Sequence, residues 1–403
     1  MINPFIALKD KIFFRLYLSQ TISLLGDAFT WVGIALLAFQ FGGDHSAAIL
    51  STALTLRVAA FIIFGPYAGV IADRIDRKKI MYITHFVRMA IVGCLPFVTS
   101  AWQIYLLIFF LNIFNAFFTP AYQAAIPQSI TTKKSYSSGI ALSNATNQLL
   151  AVLGPGLAGA IAAWLGARQI FFVDAASFII AAVFILSLPP LLVIKTGKRK
   201  IIQAKIYTDI LKGTRLLFTN NAIRFALLIE LVSAIAGAQI LVNTVGYIKG
   251  QLHLTDKHYG YIMAAFGIGA AIAAFASGNF DKSKNRIASL MIGGGLICVS
   301  IAFGNYVDFI TFFILWLIAG FSQTLAEMPS QILIAEKIPK EEHGKVYGAH
   351  FAWSHLWWAF AYPIAGFTGT HFRSKEFLIG AGLSMALFIL ITVIFYPKKS
   401  RTI

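Results

Sequence analysis

Almost the whole of this sequence consists of apolar runs longer than the ~18 residues that suffice to cross a bilayer, separated by short charged turns. Of its 403 residues, 58% are hydrophobic and only 12% charged, and the mean hydropathy is +0.76. A chain like this cannot fold around one water-screened core. In hydrocarbon every backbone N–H and C=O must be satisfied within the segment, which favours uninterrupted helices. The fold class expected is therefore an all-α membrane protein with twelve transmembrane helices. They are placed near Phe13–Phe41, Ala47–Ala72, Lys79–Val98, Trp102–Gln128, Ser137–Leu165, Arg168–Ile194, Ile223–Ile248, Lys257–Phe280, Asn285–Gly304, Asp308–Ala335, Gly344–Thr370 and Ser374–Tyr396. The first run is too long for a cleaved signal and carries Gly26-Asp27 within it.

The formal charge of +17 is distributed as a topology signal. About 25 of the 33 Lys and Arg residues fall in alternate loops and at the two ends, whereas Arg168, Lys249, Lys257, Arg373 and Lys375 occupy the opposite loops. By the positive-inside rule both termini are cytoplasmic, and the basic loops favour anionic lipid headgroups over nucleic acid. Cys94 and Cys298 sit singly inside spans, with no ligand spacing, so no metal site is expected. No phosphate-binding loop is present in the sequence, so uphill work would draw on an ion gradient and no cofactor is expected.

Landmarks recur at an offset of about 208 residues: Asp73 with Asp281, Pro120 with Pro329, Pro155 with Pro363. Two related halves in parallel are a mark of secondary transporters. The expected division is 1–194, a six-helix half; 195–222, a cytoplasmic linker; and 223–403, the second half. In the linker, Ile206, Tyr207, Ile210, Leu211, Leu217 and Phe218 share one helical face. That pattern suits a helix lying on the membrane surface or one packed under the bundle.

The turn Gly69-x3-Asp73-Arg74-x-Asp76-Arg77-Lys78 resembles the loop 2–3 motif of the major facilitator superfamily, with Asp76 where that family often has glycine. Leu153-Gly154-Pro155-Gly156-Leu157-Ala158-Gly159 resembles the antiporter motif of its exporters. With Phe117–Pro127 and Phe172–Phe178 added, the chain is similar to the macrolide-efflux and enterobactin-exporter branch. The resemblance implies proton-coupled export by a single chain that rocks between two states. It also implies that Gly69, Asp73, Arg74, Arg77, Lys78 and Asp281 latch one of them. Asp73 would accept hydrogen bonds from a neighbouring helix N-terminus. Gly154, Pro155 and Gly159 combine a helix break with close backbone approach.

Ionisable residues inside spans are functional candidates because they are costly there. Asp27, Glu230 and Glu327 qualify, with Arg57 and Arg88 as candidate ion-pair partners of Asp27. The resemblance places spans 1, 4, 7 and 10 around a central cavity. Two carboxylates in one poorly solvated site repel each other as anions, which suits one of them to carry a proton reversibly. Asp174 reads as structural. His350, Trp353 and Trp357 share a face that suits a large, partly polar substrate. The leading reading is export of an amphipathic small molecule, a drug or a siderophore, across a bacterial inner membrane by proton antiport. An importer or lysophospholipid flippase on the same fold, and a non-transporting receptor, are the alternatives. An enzyme is not expected, since the sequence carries no nucleophile motif, metal spacing or soluble lobe.

Overall fold

The computed structural model describes residues 4–72, 74–130, 133–189, 203–280, 286–339 and 342–397. Among them it is helical throughout, with no strand. The α-helices are α1 Lys11–Gly42, α2 Ser46–Ala72, α3 Arg77–Cys94, α4 Ala101–Ala125, α5 Lys133–Leu165, α6 Ile170–Leu186, α7 Gln203–Thr219, α8 Asn221–Gly246, α9 Asp256–Phe280, α10 Arg286–Ala302, α11 Phe309–Lys337, α12 His343–His371 and α13 Glu376–Phe395. Leaving α7 aside, each helix falls on one of the expected spans. Among the described residues, seven stretches are long and apolar enough to cross a membrane.

Helix starts follow local capping chemistry. Asp76 caps α3 by accepting from Lys78 N at 2.8 Å, and Asn220 caps α8 by accepting from Ala222 N and Ile223 N. Asp308 caps α11 through Thr311 N at 3.3 Å. Each cap satisfies a backbone donor that the first helical turn leaves without a partner. Large apolar side chains such as Trp164, Ile310 and Val393 are exposed. In water such a surface would drive aggregation; on a membrane-spanning helix it faces lipid.

Contacts divide the chain into two compact units. Unit 1 is Met1–Gly42, Leu56–Arg199 and Thr255–Gly260; unit 2 is Gly43–Thr55, Lys200–Leu254 and Tyr261–Ile403. In unit 1, α1 packs on α5 and α6, and α3 packs on α4 and α6. Phe13, Leu16, Met81, Phe118, Tyr122 and Ile185 belong to its core. In unit 2, α8 is buried along most of its length among α10, α11, α12 and α13. An aromatic stack closes one end of this unit, with Phe312 and Trp316 centroids 3.7 Å apart and Tyr247 and Phe377 against them. Glycine permits the tightest crossing there. A Cβ on Gly269 would overlap the Leu317 carbonyl, and one on Gly320 would overlap the Phe266 carbonyl, so α9 and α11 meet backbone to backbone.

The linker helix α7 is packed against the bundle. Leu217 is buried, the Phe218 ring lies 5.1 Å from Trp353, and a Cβ on Gly213 would strike the Lys345 carbonyl. Ile210 and Leu211 face away and are exposed. Lys212 reaches Glu342 at 2.6 Å, and Lys345 reaches Glu342 at 3.0 Å and Asp209 at 3.8 Å. Residues 195–202 of the expected linker lie outside the described residues.

Candidate functional site

The acids singled out within spans lie in two buried polar groups, one in each unit. In unit 2, α8 carries Glu230 and Ser233, while α11 carries Glu327 and Ser330. The serines are exchanged across the helix pair: Ser330 Oγ donates to Glu230 Oε1, and Ser233 Oγ donates to Glu327 Oε1 at 3.0 Å. Each acid thus takes a hydroxyl from the helix opposite. His350 Nε2 on α12 lies 2.9 Å from Glu230 Oε1 and 3.3 Å from Ser330 Oγ. Gln323 Nε2 donates to Glu327 Oε1 at 3.1 Å. Ser330 Oγ is also 2.8 Å from the backbone carbonyl of Glu327, one turn earlier on its own helix. Glu230 and His350 are buried, and Glu230 Oε2 has no hydrogen-bond partner among the described residues. A buried carboxylate oxygen without a donor is a cost to the fold unless the local packing changes to supply one.

The sequence pattern brought Glu230 and Glu327 together but placed His350 on a substrate face with Trp353 and Trp357. In the structure the imidazole turns inward to Glu230. The two indole N–H groups are used within the protein, Trp353 Nε1 to Thr214 Oγ1 at 3.2 Å and Trp357 Nε1 to the Leu227 carbonyl at 3.1 Å. The serines went unread, although a usable signal was present: each glutamate is followed three residues later by a serine, one helical turn away.

In unit 1, Arg88 Nη2 lies 3.1 and 3.3 Å from the two Asp27 oxygens and 3.0 Å from Ser23 Oγ. The guanidinium packs over the Phe178 ring at 4.1 Å and the Phe118 ring at 5.4 Å. Of the two arginines considered as partners of Asp27, Arg88 makes the ion pair. Arg57 sits 4.5 Å above the Trp31 ring instead. Asp174, on α6, accepts from Thr30 and Ser177.

The loop cations cap helix ends within unit 1. Arg77 Nη1 donates to the Ala124 carbonyl at 2.8 Å near the end of α4, and Lys78 Nζ to the Leu188 carbonyl at 2.5 Å just beyond α6. A cation near a helix C-terminus completes the carbonyls left unbonded there. Arg74 is exposed. Among the described residues, a Cβ on Gly69 would meet nothing within 4 Å. Asp73 and Asp281 lie outside the described residues. In α5, a Cβ on Gly154 would press on Ala28 of α1 at 2.7 Å, and one on Gly159 would overlap the Gly260 backbone. The Pro155 side chain is outside the described set.

Comparisons with known proteins agree with this architecture. The family described as Major Facilitator Superfamily matches residues 16–245 and 227–402. The chain is 27% identical over 365 residues to the uncharacterized MFS-type transporter YfiS of Bacillus subtilis (strain 168), covering 85% of this chain and 82% of the relative. It is 24% identical to macrolide efflux protein A of Streptococcus pyogenes, covering 83% and 84% of the two chains. It is 23% identical to the enterobactin exporter EntS of Citrobacter koseri, covering 75% and 73%. The crystal structure of nucleoside transporter NupG superposes with a TM-score of 0.74 at 14% identity, over 96% of this chain and all of that one, which speaks for the fold alone. With apolar helices along its length and the family match running from residue 16 to residue 402, the chain is a multi-pass membrane transporter and belongs to the Major Facilitator Superfamily.

Proposed function

We propose that this protein is a secondary active exporter of an amphipathic small molecule, a drug or a siderophore, driven by proton antiport across a bacterial inner membrane. Its two six-helix halves, 1–194 and 223–403, exchange between two states, and both termini are cytoplasmic. Relatives named for macrolide efflux and enterobactin export support the direction and the cargo class. The observation that carries the coupling is the exchanged pair in unit 2, where Glu230 and Glu327 each accept from the serine of the opposite helix and Glu230 is backed by His350.

The mechanism follows from the energetics of that group. Two buried carboxylates and one imidazole hold fewer charges more cheaply than many. A proton bound on one acid relieves the repulsion between the pair. Loss of that proton restores the charge and with it the demand for a new partner. The two protonation states therefore favour different packings of α8, α11 and α12, and a small local difference in affinity is enough to bias a conformational equilibrium. Asp27 with Arg88 offers a second ion pair whose making and breaking adds to that bias. A protein that binds cargo but never moves it would be a receptor, and inward movement would make it an importer.

Directional flux separates these outcomes. Inverted membrane vesicles with an acidified lumen should accumulate a labelled macrolide or catecholate siderophore, and collapsing the pH gradient should release it. Saturable binding of such compounds without accumulation, or accumulation only in right-side-out vesicles, would overturn the export reading.

A further inference from the structure

Unit 1 holds charged groups that the coupling in unit 2 does not use. Helix α1 brings Asp27, α3 brings His85 and Arg88, and α6 brings Asp174. Asp174 is the only ionisable residue in α6, and the basic residues of α5, Lys133 and Lys134, are confined to its first turn. Arg57 of α2 is held over Trp31. The hydrogen-bonded set is two carboxylates and one guanidinium, with the His85 ring alongside and Arg57 acting on Asp27 through its charge.

The three charges are unequally partnered. Arg88, 1% exposed, gives Nη2 to Asp27 and Ser23, while its Nε and Nη1 find no acceptor among the described residues. Asp174 is fully buried, and its hydrogen-bond partners are hydroxyls: Thr30 at Oδ2 and Ser177 at Oδ1, the latter at 3.0 Å. The two acids sit at one level of the helix pair, because Gly26, the neighbour of Asp27, packs directly on the Asp174 carboxyl and Ser177 Oγ. Asp27 is 22% exposed and has Arg88, whereas an ionised Asp174 would be a fully buried negative charge held by hydroxyls, which is strongly unfavourable. One proton on Asp174 removes that charge. The acid that lacks the cation is the one to hold it, and a hydroxyl can accept that proton's hydrogen bond as readily as it donates.

We propose that Asp174 is a proton-binding site and that Arg88 is a cation shared between Asp174 and Asp27. In the arrangement seen here, Arg88 pairs with ionised Asp27 and Asp174 carries the proton. When Asp27 takes up a proton, Arg88 turns its free N–H groups to Asp174, which releases one. The group binds one proton before and after, and its net charge does not change. The inference does not depend on the direction of transport or on the cargo.

Infrared spectra of the purified full-length protein at neutral pH test it through the carbonyl stretch of protonated carboxylic acids. Asp174→Asn should remove one such band. Asp27→Asn should remove the same band, since Arg88 is then free to pair with ionised Asp174. Arg88→Gln should add a band, because both acids must then be protonated. Persistence of every band in Asp174→Asn would show that Asp174 is ionised and end the proposal. Loss of the band in Asp174→Asn together with its retention in Asp27→Asn would overturn the shared cation. Stability gives an independent reading. Each single Asn variant keeps a neutral group and should melt near the wild type, whereas Asp27→Asn with Asp174→Asn strands Arg88 and should melt well below it. Adding Arg88→Gln to that pair should restore the melting temperature. A double variant as stable as the singles would also contradict the proposal.

Discussion

Ser330 ties the Glu230 carboxyl of α8 to α11, and its loss should be felt more strongly than its size suggests. It donates to Glu230 while lying against the Glu327 carbonyl and His350. A hydrogen bond to a charged group contributes about 1.5–3 kcal/mol, and a partner left bare in a buried site costs more than the bond was worth. Ser330→Ala and His350→Gln should each lower gradient-driven flux about tenfold or more, consistent with a loss of that size, while leaving insertion intact. Wild-type flux in both variants, measured in proteoliposomes, would leave the network with a packing role alone. At this scale the sequence was partly legible. A charge inside an apolar run stands out against its surroundings, which is how Asp27, Glu230 and Glu327 were found. The choice of Arg88 over Arg57, and the inward turn of His350, depend on which helix lies opposite. A single helix's periodicity carries no record of that.

At the scale of elements, the crossing of α9 and α11 is held by glycines on both sides. Gly320→Ala would drive a methyl group into the Phe266 carbonyl, backbone that cannot move aside cheaply. Overpacking of this kind costs about 1–3 kcal/mol, so the melting temperature in detergent should fall. Gly348→Ala makes a useful opposite, since nothing lies within 4 Å of its Cβ position and alanine favours helix by about 0.5–1 kcal/mol. Equal melting temperatures for both variants would argue against the crossing as described. The linker helix is tied to α12 by charge as well as by Trp353. Hydrogen bonds from Lys212 and then Lys345 hold the Glu342 carboxyl below the usual glutamate range. The tie is therefore complete above the ordinary glutamate value and is lost as pH falls through the depressed one. Glu342→Gln should speed amide exchange in α7 at neutral pH. In the wild type, exchange corrected for its intrinsic pH dependence should rise only under acid conditions. Unchanged exchange in the variant would mean that apolar packing alone holds α7. Helix positions were readable because a membrane span announces itself by length and hydropathy, both local properties. The docking of α7 was not, because an amphipathic face suits a lipid surface and a protein groove equally well.

For the whole molecule, family membership rests on a match running from residue 16 to residue 402. The proposed direction of transport and its proposed coupling rest on the buried acids and on what the relatives are named for. The repeated landmarks Asp73 and Asp281 pointed to two parallel halves, and the loop motif to a latch. Both of these aspartates lie outside the described residues. The central claim is that a proton on the unit 2 acids drives export, and Glu327→Gln in proteoliposomes with an imposed pH gradient tests it most directly. The substitution keeps the shape and the hydrogen-bonding capacity of the side chain while removing its titration. The account predicts that uphill export is abolished while exchange of cargo down its own gradient survives. Gradient-driven export by that variant at the wild-type rate would contradict it.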